Sequence, residues 1–413
     1  MTVRSPARIT SRDLRKQNRL VVLRALLRLD VATRQELAAR TKLSVATVST
    51  IVNELLAARV VGVAGVASTG VGRPLSRLQI DSDGGRLIGV DVAETYVSAT
   101  VYDLRVASLG SFGVPLDEHE KSPEYVVAGI ARAVHGALGV ARIPVASVVG
   151  VGVSLPGQVQ PEAGVSVFAP NWSWHDVRIE KLLEDALALP VHVDNPLKAI
   201  TAAELWFGEG RLDRSLVTVN LGTGVGAGIA LQGAIVRGET NNAGEWGHTL
   251  LMLDGRACHC GRRGCVETYV GVPGVVDTLR EIDPGHPALR LGSQSEFVDA
   301  VRAGLCAEEP AMVALLGRTA HFLAAALGDL INFTNPRQVR LTGWTVDRLG
   351  DWLIPAAKAE LAEHVLPSSF AAVSVERTSI PGNLVGAGMA TLTLENFLAV
   401  VGVGVPNRPL MVS

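Results

Sequence analysis

The sequence has few aromatic residues and no long apolar run, and these shortages exclude several classes of protein. Aromatic residues make up only 4% of the 413 residues. The longest apolar stretches, 60–66 and 397–405, fall far short of the roughly 20 residues that cross a bilayer, so we expect no membrane span. The basic amino terminus has neither the apolar run nor the cleavage site of a secretion signal. We therefore expect a cytoplasmic protein.

Cysteine is also scarce, and its placement argues against a disulfide framework. Three of the four cysteines lie between Cys258 and Cys265, which favours a reducing compartment and a metal site. The apolar content of 48% and charged content of 19% are typical of a globular α/β protein. A chain of this length predicts two or three compact units.

Charge is distributed unevenly along the chain. The formal net charge is −2, yet residues 1–80 hold fourteen Lys or Arg against four Asp or Glu. That segment therefore carries about +10 and the remainder about −12. A solvated basic face would explain this balance, but so would binding to a polyanion such as DNA.

The basic segment is predicted to begin with three helices. Residues 17–29 place Leu20, Leu23 and Leu27 on one stripe, which indicates an amphipathic helix. Thr33 and Glu36 have the spacing of a capping box and begin a second helix over about 33–40. Lys42 stands where the turn of a helix-turn-helix usually has Gly, and a positive φ there costs about 1 kcal/mol.

Ser44 caps the predicted third helix, and one face of that helix has an unusual composition. Its inward side is apolar, with Val48, Ile51, Val52 and Leu55. Short side chains occupy the opposite side, which allows a helix to lie deep in the major groove. The predicted DNA contacts are Ser44, Val45, Ala46, Thr47, Ser49 and Thr50, with Asn53 beside them.

Two β-prone runs around a Gly-rich tip follow the third helix and predict a wing. The tip contains Gly72-Arg73-Pro74, which resembles an arginine hook for a narrow minor groove. Arg73 is therefore a further predicted DNA contact. Residues 1–82 are interpreted as a winged helix-turn-helix that binds a double-stranded DNA operator.

A cluster of sulfur and nitrogen ligands predicts a structural Zn²⁺ site in residues 244–269. His248, Cys258, Cys260 and Cys265 supply one imidazole and three thiolates, a closed tetrahedral set. Gly261 and Gly264 allow the loop to fold around an ion. The alternatives are a cluster of buried thiols, or His259 as a substitute ligand.

From Leu87 onward the order of motifs resembles the ROK family (repressors, open reading frames and kinases). The motifs lie in residues 87–104, 150–177, 189–208 and 217–248. The resemblance implies two α/β lobes of the actin and hexokinase type, with sugar and nucleotide meeting in a cleft. The predicted boundaries are 83–200 and 201–400 for the lobes and 401–413 for a carboxy-terminal tail.

Two positions depart from the pattern of the kinases in this family. The first phosphate loop, Asp-x-Gly-Gly-Thr in kinases, reads Asp91-Val92-Ala93-Glu94-Thr95, so its glycines are lost and an anion stands where phosphate should bind. The family's catalytic Asp follows an Asn, but here Pro196 follows Asn195. Without that base the sugar hydroxyl is a poor nucleophile, so we predict no catalytic residue and no enzymatic activity.

The second phosphate loop, Gly222 to Gly226, is retained, although such a loop also works as a structural hairpin. Trp344 replaces the second Gly of the family's nucleotide-side pair and would fill the adenine space. By resemblance, the sugar-binding residues are Asn171, Glu245, His248 and Glu267. Lys198 pairs with an acidic ligand or is exposed, and Trp172 and Trp174 either stack on a sugar or cover the core.

Three functions remain open from the sequence. The first is a cytoplasmic repressor, a homodimer or homotetramer, whose effector is a sugar or sugar phosphate. The second is an ATP-dependent sugar kinase with an appended DNA-binding domain. The third is a regulator whose pocket answers to a protein partner or to no sugar at all.

Overall fold

The computed structural model describes residues 11–67, 75–117, 119–208 and 215–400. The described chain divides into two compact units. Residues up to Ala199, together with those from Val385 onward, form the first unit, and Ile200–Leu384 form the second. The predicted hook residue Arg73 and the predicted tail 401–413 lie outside the described residues.

Three helices begin the first unit: α1 (Ser11–Leu29), α2 (Arg34–Thr41) and α3 (Val45–Ala57). The predicted capping box is confirmed, because Thr33 accepts from the Glu36 amide and Glu36 accepts from the Thr33 amide. Ser44 caps α3 by accepting from the Thr47 amide at 3.0 Å. Lys42 adopts the left-handed conformation with φ 59°, as the turn requires.

The buried stripe of α1 differs from the predicted one. Val22, Leu23 and Leu26 are fully buried, whereas Leu20 and Leu27 are half-buried and Leu29 is exposed. Buried side chains on α2 and α3, including the four predicted on α3, complete the small core. Two antiparallel strands follow, β1 (Val61–Ala67) and β2 (Leu75–Ile80).

The first unit then forms a five-stranded mixed sheet whose hydrogen-bonded order is β10-β6-β3-β4-β5. Helix α4 (Pro123–Ala141) and helix α5 (Ile179–Leu187) cover it, and their apolar faces contribute to its core. A three-stranded sheet, β7-β8-β9, lies between these elements in sequence. The strands are β3 (Arg86–Val92), β4 (Tyr96–Tyr102), β5 (Ser108–Pro115), β6 (Val148–Ser154), β7 (Gln158–Gln160), β8 (Val165–Ala169), β9 (Trp174–Val177) and β10 (Val191–Asp194).

The second unit repeats the same strand order in its own five-stranded sheet, β13-β12-β11-β14-β15. In the first sheet β3 pairs antiparallel with β4 and parallel with β6. In the second sheet β11 likewise pairs antiparallel with β12 and parallel with β14. The chain therefore contains one sheet topology twice, as the two predicted α/β lobes require. The strands are β11 (Leu216–Leu221), β12 (Val225–Leu231), β13 (Ala234–Ile235), β14 (Gln338–Thr342) and β15 (Ser374–Arg377).

Helices surround the second sheet and connect its strands. Helix α6 (Pro196–Phe207) precedes β11, and the remaining helices are α7 (Glu267–Val270), α8 (Val272–Ile282), α9 (Gln294–Cys306), α10 (Pro310–Thr334), α11 (Trp344–Glu360) and α12 (Pro367–Ala372). Among the described helices, α10 alone is long and apolar enough to cross a membrane by length and composition, and half of its apolar window is buried. Because its apolar side chains fill the core of the second unit, core packing accounts for its composition.

The last described helix corrects the predicted second lobe, which we drew as one segment over 201–400. Helix α13 (Leu384–Val400) belongs to the first unit from Val385 onward. A methyl group on Gly89 of β3 would lie 1.9 Å from the Gly386 carbonyl oxygen, so the strand and the helix pack backbone to backbone. The Arg24 guanidinium on α1 also forms an ion pair with Glu395 at 2.5 Å.

Candidate functional site

The four predicted metal ligands lie together in the second unit. His248 ends a short 3₁₀ turn after β12, and the three cysteines lie in the following loop. Their ligand atoms all lie within 4.8 Å of one another. The sequence separates them by up to seventeen positions, so the loop itself brings them together.

The distances within this cluster fit a tetrahedral ion. The Sγ atoms of Cys260 and Cys265 are 3.7 Å apart, and Cys258 Sγ lies 3.6 Å from His248 Nδ1. Zinc–ligand bonds of about 2.3 Å to sulfur and about 2.1 Å to nitrogen give separations of about 3.8 and about 3.6 Å at tetrahedral angles. A disulfide would need about 2.05 Å between the sulfurs. The cluster can therefore hold a metal ion.

The thiols of Cys258 and Cys260 have pKa values shifted in opposite directions. Burial raises the pKa of Cys258 to about 12. Burial opposes ionisation of Cys260 as well, but hydrogen bonds from Arg262 outweigh it and lower the pKa of that thiol to about 7. Three ionised sulfurs this close would repel one another, so a cation that binds them removes the repulsion.

The loop that carries the cysteines is held by backbone geometry and by one arginine. Gly261 and Gly264 have positive φ values of 85° and 73°, which other residues adopt only with strain. Arg256 Nη1 donates to the carbonyls of Thr268 and Gly274 at 2.9 and 2.8 Å. The sequence did not single out Arg256, because an isolated arginine in a loop gives no sign of its partners.

Two of the predicted sugar-binding residues also lie together beside the metal cluster. A ring nitrogen of His248 and a carboxylate oxygen of Glu267 are within 4.8 Å, with a nitrogen of His259 in the same group. Glu267 is buried, and its Oε1 lies 3.2 Å from His259 Nδ1. Glu245 is half-buried one turn before His248. We predicted His259 only as a substitute zinc ligand, and its contact with Glu267 was missed.

The second phosphate loop makes contacts of its own within the second unit. The Val225 amide donates to Glu267 Oε2 at 2.9 Å. A methyl group on Gly222 would lie 2.8 Å from the Trp344 indole nitrogen, so Trp344 lies against the loop. The loop thus has one amide bound to a carboxylate and one glycine covered by an indole.

The equivalent hairpin of the first unit connects β3 and β4. Its Glu94 side chain accepts a hydrogen bond from Asn171 Nδ2 at 2.7 Å, and Asp91 accepts one from the Tyr96 hydroxyl at 3.1 Å. Asn171 lies on a 3₁₀ turn, Pro170–Trp172. The structure therefore joins a residue of the altered first loop to the predicted sugar-binding asparagine, 77 positions away.

The segment around Pro196 is built as the start of a helix. Pro196 is the first residue of α6, and the Asn195 side chain accepts from the Leu197 amide and donates to the Gly157 carbonyl, at 2.8 and 2.9 Å. Lys198 is buried with only 1% exposed, so the expectation that it is exposed is wrong. Trp172 and Trp174 are buried in the core, which confirms their structural interpretation.

The predicted DNA contacts lie on the first two turns of α3. Val45 is 51% exposed, Ser44, Ala46 and Thr50 are exposed, and Thr47 and Ser49 are half-buried. Their hydroxyls make local bonds, such as Thr50 Oγ1 to the Ala46 carbonyl at 3.1 Å. Nearby, Arg34 donates to the Asn53 side chain at 3.1 Å. The face thus presents small polar groups and two apolar side chains, Val45 and Ala46, to solvent.

The chain is similar to a known protein family, to a curated relative and to a solved structure. The model of the ROK family matches residues 87–393. A xylose repressor of Bacillus spizizenii is 24% identical over 94% of this chain and 97% of its own length. The crystal structure of a ROK family transcriptional regulator, described as a homologue of the E. coli MLC protein, has a TM-score of 0.78 at 22% identity, covering 94% of this chain and 98% of that one.

A kinase is also similar to the larger part of the chain. The structure of a ROK family glucokinase from Streptomyces griseus, in complex with glucose and AMPPNP, has a TM-score of 0.63 at 26% identity. It covers 75% of this chain and 99% of its own. The repressor and the regulator thus match a longer part of this chain than the kinase does.

Proposed function

The chain belongs to the ROK family, and from that premise we propose that it is a DNA-binding transcriptional repressor whose ROK region binds a sugar without phosphorylating it. The observation that carries the proposal is the difference in coverage. The xylose repressor matches 94% of the chain and the glucokinase 75%. The family model begins only at residue 87, so the additional basic segment has its counterpart in regulators.

The amino-terminal segment supports DNA binding as a winged helix-turn-helix. Helices α1, α2 and α3 are followed by the antiparallel pair β1 and β2, which is the element order of that motif. The turn residue Lys42 has positive φ. Helix α3 would enter the major groove with Ser44, Val45, Ala46, Thr47, Ser49 and Thr50 toward the bases, and Arg73 at the wing tip would enter the minor groove.

The effector is proposed to be a sugar, with Asn171, Glu245, His248 and Glu267 as its binding residues. Carboxylates and a neutral imidazole suit vicinal hydroxyls, because each hydroxyl both donates and accepts. His248 Nδ1 faces Cys258, which leaves Nε2 for a ligand. The relatives named for xylose and solved with glucose make a pentose or hexose the class to test first.

Zn²⁺ is the ion we propose for the cysteine cluster, with a structural role. His248, Cys258, Cys260 and Cys265 form a closed tetrahedral set, the kind that structural zinc prefers. The ion would fix the orientation of the His248 ring beside Glu267. Zinc would therefore support the sugar site without taking part in any reaction.

Loss of phosphoryl transfer is the second half of the proposal. Pro196 supplies no proton acceptor where kinases of the family have a base. In the second loop the Val225 amide already binds Glu267 and Trp344 lies against Gly222, so neither that amide nor that side of Gly222 is open to phosphate. In the first loop Glu94 adds a negative charge. These features together support a sensor rather than an enzyme.

We further propose that the protein acts in the cytoplasm as a homodimer or homotetramer. Two DNA-binding heads related by a two-fold axis would require a palindromic operator. A sugar can change operator affinity only if it binds one arrangement of the heads more tightly than another.

The test is a selection of operators from random duplexes by the full chain, followed by titration of the selected duplex with D-xylose and D-glucose. We expect a palindromic sequence bound at least about 1,000-fold more tightly than random DNA, with affinity changed by one of the sugars. Binding no tighter than to random DNA at physiological salt would refute the proposal. ADP release with either sugar would favour the kinase alternative.

A further inference from the structure

A second group of metal ligands lies in the second unit, away from the cysteine loop in sequence. It consists of His321 on α10, Glu360 at the end of α11, and His364 just after the 3₁₀ turn 361–363. One ligand atom from each lies within 4.8 Å of the other two. We propose that this group, His321, Glu360 and His364, binds a divalent first-row transition metal such as Zn²⁺.

The donor set suits such an ion. His321 Nδ1 and Glu360 Oε2 are 2.7 Å apart, and the rings of His321 and His364 meet edge to face with centroids 5.9 Å apart. Two imidazoles and one carboxylate are borderline and hard donors that zinc, cobalt and nickel accept. Three protein ligands leave a fourth position for water, which makes this an open site.

His364 gives an independent sign that a partner belongs here. Its Nε2 atom is buried and has no hydrogen-bond partner among the residues the structure describes. A buried polar nitrogen without a partner destabilises the folded protein. Coordination of a metal ion through Nε2 would supply the interaction that this imidazole lacks.

The backbone around His364 is fixed closely against α10. The Asn332 side chain donates to the His364 carbonyl at 2.8 Å and accepts from the Leu366 amide at 3.0 Å. A methyl group on Gly328 would lie 2.5 Å from His364 Cβ, so only glycine allows this approach. Because positions 321, 328 and 332 share one face of a helix, the same face carries His321 and holds His364.

The geometry needs only a small adjustment of exposed atoms. Ligand atoms around a tetrahedral ion with bonds of about 2.1 Å lie about 3.4 Å apart. His321 Nδ1 and Glu360 Oε2 must therefore move apart from their hydrogen-bonding distance, and the ligand nitrogen of His364 must come to about 3.4 Å from both. The His321 side chain is 58% exposed and that of Glu360 is 35% exposed, and both can move without disturbing the core. A bound ion would tie α10 to the end of α11.

Cobalt titration of the full chain, with zinc already in its cysteine loop, tests this proposal. We expect one further equivalent of Co²⁺ with visible absorption but no sulfur-to-cobalt charge-transfer band, because no thiolate belongs to this group. His321→Ala is the main variant, since alanine is a good helix former at an exposed position. Glu360→Gln is the second variant, and both should weaken this binding at least about tenfold.

His259→Ala is the matched control, because His259 is the other histidine that forms a possible ligand group outside the thiols. It should keep the one equivalent of cobalt that is bound in addition to zinc. The proposal is overturned if wild-type protein binds no cobalt in addition to zinc, or if His321→Ala and Glu360→Gln bind this cobalt as tightly as the wild type.

Discussion

Two hairpins occupy the same position in the two sheets, and each makes different contacts within its own unit. The hairpin between β3 and β4 contains Ala93 and Glu94, and Glu94 accepts from Asn171. The hairpin between β11 and β12 contains Gly222 and Gly224. Gly222 lies against the Trp344 indole, and Gly224 lies close to the Glu267 carboxylate, which accepts from the next amide. One hairpin thus holds a carboxylate that accepts from an asparagine, whereas the glycines of the other pack against an indole and a carboxylate.

A glycine-rich hairpin does not by itself indicate a phosphate ligand, because close neighbouring side chains also require glycine. Gly222 and Gly224 are not among the described glycines with positive φ. The close approach of neighbouring side chains, rather than an unusual backbone conformation, therefore accounts for glycine at these two positions. A methyl group on Gly224 would lie 3.3 Å from Glu267 Oε2. The glycines therefore serve contacts within the protein, and the same contacts link the second hairpin to the proposed sugar and zinc residues.

The largest expected effect comes from removing a ligand of the proposed zinc site. Cys265→Ser should release zinc and lower the free energy of unfolding by several kcal/mol, because metal binding and folding are coupled. Calorimetry and zinc analysis measure this effect, with Cys306→Ser as the matched control since Cys306 is exposed on α9. An unchanged unfolding temperature after complete zinc loss would contradict a structural role for the ion.

Glu267→Gln should have the next largest effect, on sugar binding. A hydrogen bond to a charged group contributes about 1.5–3 kcal/mol, so affinity for the effector should fall by about 10- to 100-fold. Isothermal titration with the effector measures the change. The role of Glu267 is refuted if the variant binds sugar as tightly as the wild type.

Glu94→Gln tests whether the first hairpin has become part of the sugar site. The variant keeps a side-chain oxygen that can accept from Asn171 Nδ2, but it removes the charge. We expect effector affinity to change by about tenfold, which corresponds to about 1.4 kcal/mol. Asp91→Asn on the same hairpin is a useful comparison, because Asp91 contacts Tyr96 instead. Equal affinity in Glu94→Gln and wild type would exclude Glu94 from the site.

Restoring both glycines should have the smallest effect. The double substitution Ala93→Gly and Glu94→Gly should cost about 1 kcal/mol of stability through the unfolded chain, and it should not create nucleotide binding, because Trp344 still covers the other hairpin. Thermal unfolding and titration with an ATP analogue check both points. Tight binding of the analogue by this variant would show that the first hairpin alone blocks the nucleotide.

Local features of the fold were predictable from the sequence, because their determinants lie within a few residues. The capping box at Thr33 and Glu36 and the His–Cys cluster are of this kind. Their side chains and spacing define the structure without help from distant parts of the chain.

Long-range contacts were not predictable in the same way. Nothing local signals that α13 returns to the first unit, that Arg19 on α1 pairs with Glu54 on α3 at 2.7 Å, or that Glu94 meets Asn171. For the same reason the sequence left the exposure of Lys198 open, since burial of a charged side chain depends on packing between distant elements.

The most direct test of the central claim measures sugar binding and ADP release on the same preparation of the full chain. With D-xylose and D-glucose, we predict heat of binding for at least one sugar. With the same sugars and saturating ATP, we predict no ADP release above the rate measured without the protein. Sustained, sugar-dependent ADP release would contradict the account, because it would show that Pro196 and the two altered hairpins still permit phosphoryl transfer.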